Sequence, residues 1–294
     1  MNCKFPYTLG AAVVVGCGRC VACRVRRSQV WATRQVLESF MHEENCFVTL
    51  TYDQESLPEG GNLVPGDLQL FMKRFRKNMK KEMGVDGIRF YACGEYGEQT
   101  WRPHYHLNLF GCFAGVEDIV SRSWSQGFVT VGDFNIRTAQ YVAKYVTKGL
   151  TTPGFARLQG RHPEFSRQSN RPGIGAEATA VISAALQSEE GRKEIQRLED
   201  VPWKLTQGKN KSMALGRYLR ERLRKEVGFT EEQIEEIKQR FFWQSSAETG
   251  YMLEMSISKG EAKSSAKLVA EENQGAVASI EARHKISQSK RTKI

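Results

Sequence analysis

Two histidines lie on a segment whose pattern predicts a metal site. Residues 104–110 alternate polar and apolar side chains, which predicts a β-strand with His104 and His106 on one face. Imidazoles two residues apart on a rigid strand can bind one divalent ion, and a carboxylate from a neighbouring strand would complete the site. Glu95 is the best candidate for that carboxylate, with Glu98 behind it. The alternative is that two histidines fall by chance on an exposed strand face.

Two tyrosines have the spacing of a helical nucleophile. Tyr141 and Tyr145 are four residues apart in a segment with helical periodicity, residues 138–148, so they share one face, and Lys144 and Lys148 form a cationic row beside it. Free tyrosine has a pKa of about 10, and a nearby ammonium group or metal-bound phosphate would favour the phenolate that attacks phosphorus. The alternative is that the tyrosines pack and the lysines form a solvated face.

A third group of residues could bind a second kind of metal. Two-residue gaps separate Cys17, Cys20 and Cys23, as in a thiolate knuckle, and Cys3 could be the fourth ligand once the intervening loop folds back. We expect a structural Zn²⁺ there, with reduced thiols in an N-terminal arm or an iron–sulfur cluster as alternatives. The remaining cysteines occupy predicted strand positions and are expected to be buried small hydrophobes: Cys46, Cys93 and Cys112.

The composition is that of a basic globular protein. The chain has 294 residues and a formal net charge of +10, which favours a polyanionic partner through long-range attraction and counterion release. The odd number of cysteines, seven, suits reduced thiols and a cytoplasm rather than a disulfide framework. No apolar run approaches the roughly 20 residues that cross a bilayer, and the first ten residues lack the features of a signal peptide. We therefore expect a soluble protein without a membrane partner.

The elements that must position these residues form an α+β pattern. Helices are predicted at residues 24–42, from Pro65 with Asp67 as its cap, and at 116–124 and 138–148. The strands, marked by alternating β-branched and aromatic residues, are 46–52, 88–95, 104–110 and 127–134. From residue 46 the order is strand, helix, strand, strand, helix, strand. This order predicts a ferredoxin-like or RNA-recognition-like antiparallel sheet with helices on one face, followed by one further helix.

Changes in composition predict four segments. Residues 1–24 form a Cys-rich N-terminal segment, and residues 25–152 contain the candidate site. Residues 153–258 begin with a stretch rich in Pro, Gly, Arg and Ser and then become mostly helical, including a capping box at Thr230. Residues 259–294 are polar, rich in Ser and Lys and free of aromatics, so we expect a flexible basic tail.

Three motifs in order resemble those of the HUH endonuclease superfamily. They are Phe47–Tyr52, then Gly94–Gly97 with Arg102–His106, and then Tyr141–Tyr145. More narrowly, the chain looks like the rolling-circle replication initiation proteins of gokushovirus-like microviruses, which are small single-stranded DNA phages. The segments Cys17–Cys20 and Arg171–Gly175 resemble the same group. Three matches in the right order are far more specific than any one motif.

The resemblance implies an activity and roles for the candidate residues. His104 and His106 would bind Mg²⁺ or Mn²⁺, and a tyrosine of the motif helix would attack, giving a 5′-phosphotyrosine and a free 3′-hydroxyl. With two tyrosines, Tyr141 would open the origin and Tyr145 would cut the regenerated junction. Members with one tyrosine use a nearby lysine, which Lys144 matches, so a mechanism in which Tyr145 only packs stays open.

Three residues are expected to hold the DNA. Trp101 and Arg102 lie in the loop before the histidine strand, and Lys148 lies on the tyrosine helix. Single strands are usually bound by aromatic stacking beside positive charge, which is what these residues offer. The alternative for Trp101 is that it closes the core.

The resemblance also implies the partners and the location of the protein. The substrate would be a single-stranded phage origin, in the cytoplasm of a bacterial host with its replication proteins. The sequence has no phosphate-binding Gly-x-x-x-x-Gly-Lys-Ser/Thr loop, so unwinding would need a host helicase. Two alternatives remain: a non-catalytic nucleic-acid-binding module with an RNA-recognition-like fold, and a transposase or conjugative relaxase of the same chemistry.

Overall fold

A computed structural model describes residues 2–10, 13–97, 99–144, 156–207 and 211–289. Its strands are β1 (Tyr7–Leu9), β2 (Val13–Val15), β3 (Asn45–Tyr52), β4 (Arg89–Tyr96), β5 (Pro103–Phe110), β6 (Gly127–Asp133), β7 (Phe165–Gln168), β8 (Lys204–Gln207) and β9 (Lys211–Ala214). Its helices are α1 (Val21–Ser39), α2 (Pro65–Met83), α3 (Glu117–Trp124), α4 (Ile136–Lys144), α5 (Ala178–Leu186), α6 (Glu189–Leu198), α7 (Gly216–Val227), α8 (Glu231–Ser258), α9 (Ser265–Glu272) and α10 (Gln274–Ser289).

The chain divides into two compact units. The sheet unit contains residues 28–195 and 201–227. The cysteine unit contains residues 1–27, 196–200 and 228–294. This division differs from the predicted segments, because much of the stretch after residue 152 belongs to the same unit as the sheet. Among the described residues, none of the helices combines the length and the apolar character that a membrane crossing requires.

An antiparallel sheet of five strands, in the order β6-β3-β5-β4-β7, forms the centre of the sheet unit. The predicted α+β class is confirmed, and the strands from β3 to β6 have the ferredoxin-like order with α2 and α3 as the connecting helices. The edge strand β7 pairs with β4 and lies in a segment that we predicted to be irregular. Its four residues, Phe-Ser-Arg-Gln, are too few and too polar to show a period of two.

One face of the sheet carries the main hydrophobic core. The inward residues of β3 and β5 pack there against α2 and α3, and the predicted stripe on α2 is buried: Leu68, Phe71, Met72, Phe75 and Met79. The prediction that Asp67 caps α2 is wrong. The helix begins at Pro65 after Val64, with no side-chain cap, and the Asp67 carboxylate instead accepts a hydrogen bond from the Tyr52 hydroxyl at 2.6 Å. A proline at the first helical position lacks the N–H group that a cap would satisfy.

The other face of the sheet is partly covered by α1 and α4, in addition to the predicted arrangement. Gln35, on α1, connects these elements through two hydrogen bonds. The Asn108 Nδ2 on β5 donates to Gln35 Oε1 at 2.6 Å, and Gln35 Nε2 donates to the carbonyl of Ala139 on α4 at 3.3 Å. Both Gln35 and Asn108 are fully buried, so this polar link fixes α4 against the sheet.

The later part of the sheet unit packs back onto α1. The guanidinium of Arg34 lies between the rings of Trp31 and Tyr218, 4.2 and 4.4 Å from their centroids. Its Nε donates to the carbonyl of Ile174 at 2.8 Å. The helices predicted near residues 176–186 and 215–227 are confirmed as α5 and α7.

The cysteine unit contains the β1–β2 hairpin and the last three helices. The predicted capping box at Thr230 is confirmed at the start of α8. The residues predicted to form a flexible tail from 259 onward instead include α9 and α10, up to Ser289. Val269 and Val277 are buried, because packing within this unit supplies the apolar partners that the tail sequence lacks.

Candidate active site

The strand register places both histidines and Glu95 on the same face of the sheet. Glu95 on β4 pairs with His104 on β5, and Thr51 on β3 pairs with His104 from the other side. Thr49 pairs in the same way with His106. Directly paired residues of antiparallel strands point to the same face, so the five side chains form one polar patch opposite the core.

Hydrogen bonds fix the orientation of the two imidazoles. The Thr49 hydroxyl is 3.0 Å from His106 Nδ1, and the Thr51 hydroxyl is 3.0 Å from His104 Nδ1. Because each Nδ1 faces a threonine, each Nε2 faces the other way. His106 Nε2 lies 2.8 Å from Glu95 Oε1, and these two side chains are only 7% and 4% exposed.

A glycine leaves room beside the second imidazole. A Cβ atom at Gly97 would lie 3.0 Å from His104 Nε2, tighter than an ordinary van der Waals contact. The ring centroids of His104 and His106 are 6.3 Å apart. The lack of a side chain at Gly97 therefore keeps the second nitrogen accessible.

The structure brings Tyr141 to the histidine and glutamate side chains. Its hydroxyl donates to Glu95 Oε1 at 3.3 Å and lies 3.5 Å from His106 Nε2. Its ring meets those of His106 and Phe47 edge-on, at centroid distances of 5.1 and 6.2 Å. A phenol, an imidazole and a carboxylate thus converge although they come from α4, β5 and β4.

Other predicted residues of the tyrosine helix are only partly described. Lys144 lies at the end of α4, three residues after Tyr141, and is partly buried. Tyr145 and Lys148 lie outside the described residues, and so does Glu98.

The loop before β5 packs against the protein. Trp101 is partly buried against the main core, with the guanidinium groups of Arg157 and Arg161 each 5.6 Å from the centroid of its ring. Arg102 donates through Nε and Nη2 to the carbonyl of Tyr52 at 3.2 and 3.0 Å. This placement agrees with the alternative in which Trp101 closes the core, and a DNA contact by either residue stays a prediction.

An aromatic residue near the site was missed by the sequence analysis. Phe128 on the edge strand β6 is 70% exposed and pairs with Thr51, which also pairs with His104. It therefore lies on the same face as the site, about 10 Å from His104 across two strand spacings. The signal was present in the strand pattern, since Phe128 alternates with Val129, which packs on the core face.

The donor set fits a divalent cation. Two imidazoles and a carboxylate are suitable ligands for Mn²⁺ and related ions, and leave positions for water or phosphate oxygens. Ligand atoms about 2.1 Å from one octahedral ion are about 3 Å apart, which matches the 2.8 Å between His106 Nε2 and Glu95 Oε1. Of the predicted metal ligands, His104, His106 and Glu95 would hold the ion.

The four N-terminal cysteines also come together, within the cysteine unit. The Sγ atoms of Cys3, Cys17, Cys20 and Cys23 all lie within 4.8 Å of one another, and none forms a disulfide. Burial raises the pKa of the Cys17 thiol, but amide hydrogen bonds from Cys20 and Arg19 outweigh it and lower the pKa to about 7. Burial raises the pKa of Cys23 to about 12. The predicted burial of three further cysteines is confirmed for Cys46, Cys93 and Cys112.

Comparisons with known proteins identify relatives of the sheet unit. Residues 45–150 match a family model of replication-associated proteins of the ORF2 type. The chain is 35% identical over 181 residues to the replication-associated protein ORF2 of Spiroplasma virus 4, covering 55% of each chain. It is 30% identical over 158 residues to the replication-associated protein VP4 of Bdellovibrio phage phiMH2K, covering 48% of this chain and 50% of the relative. It is 32% identical over 152 residues to the replication-associated protein ORF4 of Chlamydia phage 1, covering 45% and 37%.

These matches confirm the predicted resemblance to replication proteins of small phages. The matched range, residues 45–150, contains the strands that carry His104, His106 and Glu95 and the helix that carries Tyr141. The chain spans about half the length of the first two relatives, 55% and 50%. No solved structure matches the chain.

Proposed function

We propose that the protein initiates rolling-circle replication by nicking single-stranded DNA at a phage origin with a tyrosine nucleophile. The carrying observation is that the Tyr141 hydroxyl lies within 3.5 Å of both His106 Nε2 and Glu95 Oε1. A nucleophile this close to a cation-binding donor set can attack a phosphate held there. The similarity of residues 45–150 to replication-associated proteins of phages supports the same proposal.

The proposed reaction exchanges one phosphoester bond for another. The Tyr141 phenol loses its proton, its oxygen attacks phosphorus, and the bond from phosphorus to the 3′ oxygen breaks. The 3′ oxygen leaves and takes up a proton, and the 5′ phosphate stays joined to the tyrosine. Glu95 Oε1 already accepts the hydrogen bond of this phenol, so it orients the nucleophile and is placed to receive its proton.

The cation and the cationic side chains would stabilise the reacting phosphate. A divalent ion, Mg²⁺ or Mn²⁺, supplies a Lewis acid and a template for in-line attack when His104, His106 and Glu95 bind it. Lys144, one turn after Tyr141, adds positive charge that favours the phenolate form. Metal-dependent, site-specific endonuclease and strand-transferase activity follows from this arrangement.

The second tyrosine gives the proposal a second step. Tyr145 would cut the junction that replication regenerates, while the 3′-hydroxyl of one end attacks the phosphotyrosine of the other and rejoins the circle. In the single-tyrosine mechanism, Lys144 would assist Tyr141 and Tyr145 would only pack. The two mechanisms differ in whether Tyr145→Phe stops the second transfer.

The DNA would be held by stacking and by charge. Phe128 offers an exposed ring on the face of the site, and Trp101, Arg102 and Lys148 remain the predicted contacts beside it. The net charge of +10 would add salt-dependent phosphate contacts. We infer that host replication proteins, including a helicase, complete the process inside the host cell.

The test is a search for a covalent protein–DNA product. Circular single-stranded phage DNA is incubated with the protein and Mn²⁺, and the nicked strand is analysed for a peptide joined to its 5′ end. The wild type should give the adduct on Tyr141 or Tyr145. Tyr141→Phe with Tyr145→Phe should give none, and His104→Ala should lose about 10²-fold or more of the rate, because phosphate activation depends on the ion.

The matched control for this test is Tyr251→Phe, an exposed tyrosine on α8 of the cysteine unit. It should nick like the wild type. An adduct formed by the double tyrosine variant would show that another residue attacks. Full activity of His104→Ala in EDTA would remove the role of the metal.

The exposed ring of Phe128 on the sheet favours a second candidate, a non-catalytic nucleic-acid-binding module. Such a module would bind single strands in EDTA and give no adduct under any metal condition. A transposase or relaxase of the same chemistry would give the adduct but would not support repeated rounds of strand transfer at a phage origin.

A further inference from the structure

We propose that Cys3, Cys17, Cys20 and Cys23 bind one structural Zn²⁺ as thiolates and that this ion holds the N-terminal segment in the fold of the cysteine unit. This site lies outside residues 45–150, the range that matches the replication-protein family. It is independent of the proposed nicking reaction, which uses residues of the sheet unit.

The distances between the sulfur atoms fit a single tetrahedral ion. A Zn–S bond is about 2.3 Å long, so two sulfurs on one tetrahedral ion are about 3.8 Å apart. Cys3 Sγ and Cys20 Sγ are 3.9 Å apart, and all four sulfurs lie within 4.8 Å of one another. A disulfide would require about 2.05 Å. A cluster of several iron atoms would require its thiolates to stand further apart than the ligands of one ion.

The backbone around Cys17 is built to support negative sulfur. Gly18 has a φ of 69°, a left-handed conformation that turns the chain between Cys17 and Cys20. In this turn the amides of Arg19 and Cys20 donate to Cys17 Sγ at 3.4 and 3.2 Å. The amide of Cys17 in turn donates to Cys3 Sγ at 3.2 Å. Amide donors directed at sulfur stabilise the thiolate that binds a metal.

A helix end adds to this stabilisation. α1 begins at Val21, directly after Cys20, and Cys23 lies in its first turn. The N-terminus of a helix carries partial positive charge, which favours a thiolate beside it. Two of the four ligands therefore come from a helix start and two from the chain before it.

Apolar residues cover the cysteine cluster and show what the ion would hold together. Ala22 and, on α10, Val277 and Ile280 pack around the sulfurs. Beside them, Lys4 forms an ion pair with Glu281 at 3.1 Å. Cys3 and Cys20 are themselves buried members of this small core, so the ion would join its parts where apolar surface is limited.

The first measurement is the metal content of the full chain, purified without chelator and analysed by mass spectrometry of the elements. We expect about one zinc per chain, and less than about one tenth in Cys17→Ser with Cys20→Ser, since a structural site needs its thiolates. Cys112→Ala, which removes a buried cysteine outside the cluster, is the matched control and should keep its zinc. Iron in place of zinc, or no bound ion in the wild type, would overturn the proposal.

Loss of zinc by simple unfolding of the serine variant is separated by a second measurement. Cobalt(II) is exchanged into the wild-type protein, and its absorption spectrum is recorded. Four thiolates around Co²⁺ should give sulfur-to-metal charge-transfer bands and the strong visible bands of tetrahedral cobalt. Cys23→His should keep one ion with a changed spectrum, because imidazole replaces one thiolate in many zinc sites.

A weak spectrum typical of octahedral cobalt, or none, would contradict the four-thiolate site. Neither measurement depends on DNA cleavage. A protein that holds zinc and does not nick would refute only the proposed function, and a protein that nicks without zinc would refute only the cysteine site.

Discussion

At the residue scale, two threonines determine which nitrogen of each imidazole is available to a cation. An Nδ1–H group that donates to a threonine hydroxyl leaves the lone pair on Nε2 to bind a metal. These contacts, both 3.0 Å, join Thr49 to His106 and Thr51 to His104. The threonines are thus positioning residues, which act on the metal site through the histidines.

Thr49→Val keeps the shape of the side chain and removes the hydroxyl. We expect the Mn²⁺ concentration that gives half-maximal nicking to rise about 10- to 100-fold, the usual effect of losing a partner behind a metal ligand. The measurement is a Mn²⁺ titration of the nicking rate. Thr130→Val, the same change on the paired residue of β6, is the control and should titrate like the wild type. Equal titrations for both variants would mean that Thr49 does not position His106.

The candidate residues were predictable from the sequence to different degrees. His104, His106 and Glu95 follow from alternation along two strands, because a period of two assigns each side chain to a face. The threonines do not, since their contacts depend on the register of β3 against β5, and the sequence of one strand does not give that register.

At the element scale, the position of α4 against the sheet decides where the nucleophile lies. Gln35 connects Asn108 of β5 with the backbone of Ala139 on α4, two residues before Tyr141. Its amide is fully buried, so removal of the amide leaves polar groups without these partners in a low-dielectric environment.

Gln35→Leu is expected to destabilise the protein by about 1–3 kcal/mol, the cost of buried polar groups that lose their partner. It should also slow formation of the covalent adduct more than it changes Mn²⁺ dependence, because it moves the nucleophile and leaves the ion ligands in place. Urea unfolding and single-turnover adduct formation measure the two effects. Gln69→Leu, at an exposed position on α2, is the control. A normal adduct rate in Gln35→Leu would show that α4 is held by other contacts.

The edge strand β6 supplies the aromatic ring that we assign to DNA stacking. Phe128→Ala should weaken binding of a short single strand about 5- to 150-fold, since stacking of one base on an aromatic ring contributes about 1–3 kcal/mol. Fluorescence anisotropy in EDTA measures binding without cleavage. Phe40→Ala removes another exposed ring, on the sequence that follows α1, and should bind normally. Equal affinity of the two variants would exclude Phe128 from the DNA path.

Most elements of the sheet were predictable, and the exceptions have physical causes. Strands β3 to β6 and the stripe on α2 follow from periodicity, which is strong when one face packs on a core. The strand β7 was missed because its four residues pair only with β4 at the edge. The prediction that Asp67 is a cap failed because a buried tyrosine, Tyr52, competes for its carboxylate.

At the scale of the whole molecule, composition was a poor guide to order. Residues 259–294 contain no aromatics, yet α9 and α10 form there and bury Val269 and Val277. The ordering entropy of such a segment is offset by residues distant in sequence, among them the cysteines near the N-terminus. A window of sequence contains no information about partners more than two hundred residues away.

The motifs and the whole-chain comparisons cover different parts of the protein. The family match, residues 45–150, lies within the sheet unit, while the cysteine unit is built from the two ends of the chain. Sequence motifs could therefore predict the candidate active site but could not predict which later residues complete the second unit.

Tyr141 and the cation ligands are carried by different elements, α4 and the strands β4 and β5. After a cut, the 5′ end would travel with the helix as its cargo, while the 3′ end would stay beside the sheet. A small tilt of α4 would then separate the two ends without release of either. The same tilt in reverse would bring them back into register, so a mechanical hinge of one helix would govern whether the phage circle is opened or resealed.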